Sequence, residues 1–343
     1  MIGWPLADLG LTSVGKNIVI CADGTWNRPE EKLDEDYPTN VLRLARAIRP
    51  ATANGGQTVF YDWGLGSYHD KTSAGITGAG IQKNIQDGYR YLVQNYSTGD
   101  KIFLFGFSRG AYTVRALCGL IYNCGILKRE FARHIPDAWD MYRADGEENA
   151  PASAAAKSFR KEKCHRSRRV HFSGVWDTVG ALGIPVSFLG LFNREDEFYD
   201  TKMGSNITFA RHAMAIDEVR EDFLPTIWQP RREVDLKQVW FAGVHCDVGG
   251  SYQPDEKRKT TASDIPLRWI LNQASLAGLT VESHLLDSIG DDTQSGLHKS
   301  RTSYFRLKRE AQREMAPLDE RGSVIPTLVH SSVRQRFDSD PQY

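Results

Sequence analysis

Five short runs of this chain are almost continuously apolar: NIVICA (17–22), TVFYDW (58–63), KIFLFGF (101–107), RVHFSGVW (169–176) and KQVWFAGV (237–244). Continuous rather than alternating hydrophobicity over such short lengths predicts strands buried on both faces, as in a parallel sheet between two helical layers. Helical spacing falls between the runs. TNVLRLARAIRP (39–50) opens on Thr39, a capping residue, and stops at Pro50; IQKNIQDGYRYLVQNY (81–96) and AYTVRALCGLI (111–121) flank the third run. ARHAMAIDEVRE, with His212, reads as a helix, and 276–343 reads as short helices packed on the sheet. Strand–helix alternation predicts one α/β domain over 1–343 with its core at 17–275, a mostly parallel sheet flanked by helices, and right-handed crossovers.

The residues after each strand carry the candidate chemistry, because open α/β sheets bind ligands beyond their carboxyl ends. Residues 106–110 read Gly-Phe-Ser-Arg-Gly between a strand and a helix. That is the setting of a nucleophile elbow, and it makes the fold α/β-hydrolase-like with Ser108 as nucleophile. Serine needs a base and a group to orient that base. Asp177 and His245 each follow a predicted strand and keep the order Ser, Asp, His. His330 is the rival base. Asp23, Asp62 and Asp217 are rival acids, and Asp247 reads as a brace for the His245 turn. An oxyanion hole would use the backbone N–H of Arg109 with Gly24 or Thr25 from the loop after the first strand. In that loop Asp23 and Asn27 also serve to satisfy its own backbone.

Two stretches interrupt the alternation. At 145–169 a small, polar insertion leads into KSFRKEKCHRSRR (157–169), a basic run that is either a solvated helix face or a patch for anionic headgroups. At 181–206 lies a lid candidate. Leu182, Ile184, Phe188 and Phe192 there are either core or an acyl-chain wall.

Composition narrows the classes. Lys+Arg and Asp+Glu are both 43, so the chain is neutral and no nucleic-acid partner is expected. Five cysteines without metal-ligand spacing fit free thiols in a reducing compartment. The first residues lack a basic segment and a long apolar core, and no run approaches the roughly 18 apolar residues of a membrane span. The expectation is a soluble chain made in the cytoplasm without a signal peptide, with export left to a specialised secretion system. Neither a metal nor a cofactor is expected.

Taken together, CADGTWN (21–27), TNVLRLARAI (39–48), GFSRGAYTVRALCGLI (106–121), GVWDTVGALG (174–183), HAMAIDEVREDF (212–223) and VWFAGVHCDVGGSY (239–252) resemble the α/β-hydrolase domain of type VI secretion lipase effectors, the group containing the type 1 effector phospholipases. The resemblance implies Ser108 as nucleophile, Asp177 as acid and His245 as base, and ester hydrolysis that often releases fatty acid from glycerophospholipids. It implies a lipid or other acyl-ester substrate, peripheral contact with a membrane and, for an effector, an immunity protein. The alternatives are a carboxylesterase for small soluble esters and a non-catalytic module on a hydrolase scaffold.

Overall fold

The computed structural model describes residues 15–24, 27, 29–32, 35–52, 55–64, 78–144, 146–179, 203–301, 309–340 and 343. Thr25, Leu182, Ile184, Phe188 and Phe192, with all of the lid candidate up to 202, lie outside them.

Strand β1 (Asn17–Ala22) sits in the middle of one sheet with β2 (Ala51–Thr52), β3 (Gly55–Asp62), β4 (Lys101–Phe107), β5 (Val170–Trp176), β6 (Ile207–Ala215), β7 (Asp235–Phe241) and β8 (Leu328–Val329). The order is β2-β3-β1-β4-β5-β6-β7-β8, and every pairing is parallel except the β2–β3 hairpin. The fold is therefore α/β with a mostly parallel sheet. Four of the apolar runs are strands covered on both faces, whereas the run at 58–63, mostly in β3, is only half-buried, with Val59 and Trp63 exposed. Ile18, Ile20, Ile102 and Leu104 join one core with α2 (Gly78–Asn95), α3 (Arg109–Cys124) and α4 (Ile135–Arg143). Val19, Cys21, Phe103, Phe105 and Phe107 join the other, with α1 (Asn40–Ala47) and, from the later chain, Leu267, Ile270, Leu271 and Leu285. Thr39 caps α1 as its sequence position suggests, accepting the Leu42 N–H at 3.1 Å.

One element departs from the sequence reading. The stretch with His212 is strand β6, paired with β5 and β7, and not a helix. Ala, Met and Arg favour helix on their own. Here the open edges of β5 and β7 need a partner for their backbone groups, and pairing overrides that preference. The described part of 276–343 is also less helical than its sequence suggests. It holds two helices, Ser283–Ser288 and Ser331–Ser339, and β8, joined by long irregular stretches.

The basic run divides. In α5 (Ala154–Lys163) Lys157 and Lys161 are exposed, as are Arg166 and Arg169 beyond it. Arg160 and Arg168 instead donate to the backbone carbonyls of Asn123 and Pro151, and of Tyr122. None of the helices is long and apolar enough to cross a membrane, among the described residues.

After β1 the chain moves to β3 on one side, then returns to β4 on the other. This reversal opens a crevice at the carboxyl ends of β1 and β4. Register brings the strand ends level: Ala22 pairs with Gly106, Phe107 with Trp176 and Trp176 with Ala213. The start of α3 is pressed onto the end of β1. A Cβ on Gly110 would stand 2.1 Å from Ala22 O and 2.5 Å from Asp23 O. Gly110→Ala is expected to cost about 2–3 kcal/mol through overpacking against rigid backbone. Urea unfolding checks this, as a lower midpoint at unchanged slope.

Candidate active site

Strand β4 ends at Phe107 and α3 starts at Arg109, so Ser108 alone makes the turn, at φ 57° and ψ −123°. A serine in the left-handed region is strained by about 1–3 kcal/mol and persists only where its surroundings hold it. Its N–H donates to Trp176 O at 3.1 Å, and its C=O accepts the Tyr112 N–H at 3.2 Å. Arg109 is the first residue of α3, so its N–H has no acceptor within the helix and lies at the positive end of the helix dipole. The Arg109 side chain is half-buried, and among the described residues it has neither a hydrogen bond nor an ion pair. Burial pulls its guanidinium down to about 10, so it stays charged at neutral pH.

Asp177 follows β5 directly, with φ 40°, and is fully buried. His245 opens the short helix α6 (His245–Gly249), and its Nδ1 lies 2.5 Å from Asp177 Oδ2. The rings of Phe107 and Phe223 hold the imidazole, at centroid distances of 4.6 and 4.9 Å. The first packs this closely because Gly249 carries no side chain; a Cβ there would fall 2.0 Å from the Phe107 ring. The His245 N–H donates to the buried Glu218 at 3.3 Å. With Nδ1 facing a carboxylate, Nδ1 carries the proton and Nε2 is the basic atom. Burial pulls the imidazole below its ordinary 6.5, and the hydrogen bond and charge of Asp177 oppose this only in part. Among the described residues Ser108 Oγ and His245 Nε2 share no hydrogen bond; such bonds are often long without substrate and close when it binds.

The rivals lie in other roles. His330 caps the Ser331–Ser339 helix and stacks on Phe241 at 4.7 Å. His212 accepts the Thr178 N–H at 3.1 Å, and burial lowers it to about 3, so it is neutral. Asp217 accepts the Tyr343 hydroxyl at 2.9 Å and the Gly243 N–H. Asp247 braces the His245 turn, taking the Val244 N–H at 3.0 Å and His298 Nδ1 at 2.6 Å.

Asp23 closes the loop after β1. It accepts the Gly24 N–H at 2.8 Å, the Thr39 hydroxyl at 2.5 Å and the Tyr61 hydroxyl at 2.8 Å. Burial still pushes its carboxyl up to about 6. Gly24 lies against Ser108, where a Cβ would come 3.1 Å from Ser108 Cβ. Its N–H is already engaged by the Asp23 carboxylate.

The sequence reading missed Arg313. Its side chain is 1% exposed, and its two terminal nitrogens reach the two oxygens of Asp177, Nη1 at 2.5 Å and Nη2 at 2.9 Å. It also donates to Ala215 O at 2.8 Å and to Phe223 O. The Ala215 N–H adds a bond to Asp177 Oδ1 at 2.9 Å. Burial alone would raise the Asp177 carboxyl. The guanidinium beside it, with the bonds from His245 and Arg313, reverses that and holds it well below the ordinary carboxylate range. Arg313 stands in EAQREMAPLDERG, a polar stretch with no periodicity, so no local signal marks it.

Asp177→Ala would leave the Arg313 cation buried without a counter-charge, at an expected cost of about 3–5 kcal/mol at neutral pH. A carboxyl depressed in the folded state stabilises above its unfolded value, about 3.9, and that contribution fades as pH falls through the folded value. The stability gap between wild type and Asp177→Ala in denaturant titrations should therefore narrow steadily below about pH 4.

Residues 16–273 match the family model described as T6SS, Phospholipase effector Tle1-like, catalytic domain. An uncharacterized protein of Saccharomyces cerevisiae is 26% identical over 241 residues, which is 64% of this chain and 33% of that protein. A crystal structure of an uncharacterized protein from Pseudomonas aeruginosa superposes with a TM-score of 0.52 at 16% identity, over 81% of this chain and 49% of that one, and so shares its fold. The chain thus spans about a third of the length of this curated relative and about half of that solved chain. The family match runs from just before β1 into the helix after His245, through every strand but β8, and on that ground the chain belongs to the family of Tle1-like T6SS phospholipase effector catalytic domains.

Proposed function

We propose that this chain hydrolyses acyl esters of glycerophospholipids through an acyl-enzyme on Ser108. The single observation that carries the reading is the convergence of the Ser108 turn with the buried Asp177–His245 pair at one edge of the sheet. His245 Nε2 takes the Ser108 proton as Oγ attacks the ester carbonyl. The oxyanion is received by the Arg109 N–H and by an N–H of the loop after Gly24, with Thr25 as the candidate. His245 then returns its proton to the leaving alcohol. A water, deprotonated by His245, attacks acyl-Ser108 and releases the fatty acid. Asp177 stays ionised throughout, orienting the imidazole and stabilising the imidazolium.

Membership of a phospholipase effector family supports a lipid substrate, and the Arg109 cation, which follows Ser108 and has no side-chain partner among the described residues, supports a phosphate-bearing one. The acyl-wall assignment of Leu182, Ile184, Phe188 and Phe192 rests on their apolar pattern. Delivery by a type VI machine, contact with a target membrane and inhibition by an immunity protein are proposals for the whole protein to which such a domain belongs.

Fatty-acid release from mixed phospholipid vesicles tests the reading. Ser108→Ala is expected to lower it at least about 10³-fold. Full activity in that variant would remove Ser108 from the mechanism. Ser108-dependent turnover of short soluble esters alone would make the protein a carboxylesterase. Because His245 must be neutral to act as base and burial lowers its pKa, the acid limb of kcat/KM should have its midpoint below pH 6.5. A midpoint above 6.5 would contradict that reading of the site. Arg109→Gln should raise KM for phospholipid several-fold more than KM for a neutral ester, measured on both substrates in parallel.

A further inference from the structure

The geometry points to Arg313 as a positioning residue of this site: its guanidinium clamps the Asp177 carboxylate against His245 and, by offsetting its charge, keeps the imidazole a free base near neutral pH. The inference rests on the reading of Ser108, Asp177 and His245 given above.

Arg313 does more than fill a buried position. Its two terminal nitrogens address separate oxygens of the carboxylate, a fork geometry that fixes the plane of the acid as well as its location. The oxygen that takes Nη2 also faces His245 Nδ1. The same guanidinium binds the backbone of Phe223, whose ring packs edge-on against the imidazole. One cation thus orders the acid and part of the wall that holds the base. It comes from beyond residue 273, after the segment that matches the family.

Of the cations around the pair, Arg313 is the one in contact with the Asp177 carboxylate among the described residues. Glu218 faces His245 but is paired with Arg220 at 2.8 Å. His212, on β6, is neutral, and Arg115, on α3, acts on His212 rather than on His245. Asp247 is turned to Val244 and His298. At the imidazole itself Asp177 and Glu218 favour the charged form and Arg220 opposes it; Arg313 acts through Asp177, whose charge it meets at contact distance. An uncompensated carboxylate at 2.5 Å would favour the imidazolium. The Arg313 charge weakens that preference, so the base is free at lower pH.

The test is the pH dependence of Ser108 labelling by a fluorophosphonate and of kcat/KM, for wild type, Arg313→Gln and Arg313→Lys, on the full chain. Removing the charge should move the acid-limb midpoint upward by about one pH unit in both measurements. Lysine keeps the charge but loses the fork. Arg313→Lys should hold the midpoint near that of wild type while lowering the plateau rate. A merely structural arginine would reduce the active fraction and the thermal midpoint without moving the limb. An unmoved limb in Arg313→Gln, with activity still dependent on Ser108, would overturn the proposal alone. Activity and labelling that survive in Ser108→Ala would overturn the underlying reading instead.

Discussion

The hydrogen-bonded register of β4 between β1 and β5 is the constraint on which the rest of the site depends. Parallel pairing levels the carboxyl ends of the three strands, so Asp23, Ser108 and Asp177 leave the sheet side by side. The chain must then reverse at Ser108 within one residue to send α3 back along the sheet. That turn is affordable only because α3 touches the end of β1 at a glycine, and because the Ser108 N–H is tied to the neighbouring strand. Position in the sheet, and not the chemistry of serine, puts this residue at a helix N-terminus and next to the strand that ends at the buried Asp177.

The carboxylates at the edge so formed are buried, and they show how the type of partner decides ionisation. Asp23 receives two hydroxyls, the Gly24 amide and the Asn27 side chain, yet burial wins and pushes its carboxyl up to about 6. Asp177 and Glu218 are as enclosed, but each has a guanidinium, and both are held below their ordinary values. Neutral donors return only part of the hydration that a buried charge loses, whereas a full positive charge at contact distance in a poorly screened interior exceeds the loss. One edge therefore carries a carboxyl that protonates under mild acid and another that stays ionised.

Membership of the Tle1-like family places this chemistry in a wider setting. The matched segment holds the strands and turns that converge on Ser108, while the chain covers a minority of its yeast relative. Arg313 lies outside that segment yet bonds its most buried acid. The boundary of the family pattern is thus not the boundary of the electrostatic site. Among the described residues the irregular chain between the last helices is held by such polar anchors together with a few buried apolar groups, Ile289 and Ile325. Arg336, which reaches the backbone of Ser295, is another such anchor.

Local sequence carried a large part of this structure. Apolar runs that do not alternate identified β1, β4, β5 and β7, because a strand covered on both faces has no polar side to show; the same signal identified β3, although that strand is only half-buried. Glycines flanking a serine between strand and helix identified the turn at 106–110, since only a tight reversal needs them. The order of Ser108, Asp177 and His245 followed from their places after strands. Three features escaped. Strand β6 is built from residues that favour helix, and only the open edges of β5 and β7 make it a strand. The Gly24 amide appeared free as an oxyanion donor until the fold turned the Asp23 carboxylate onto it. Arg313 sits 136 residues from the aspartate it binds, in a stretch without period or motif. Periodicity reports which side of an element meets the core, because burial repeats along it. A single ion pair between distant segments repeats nowhere, so only the folded chain decides it.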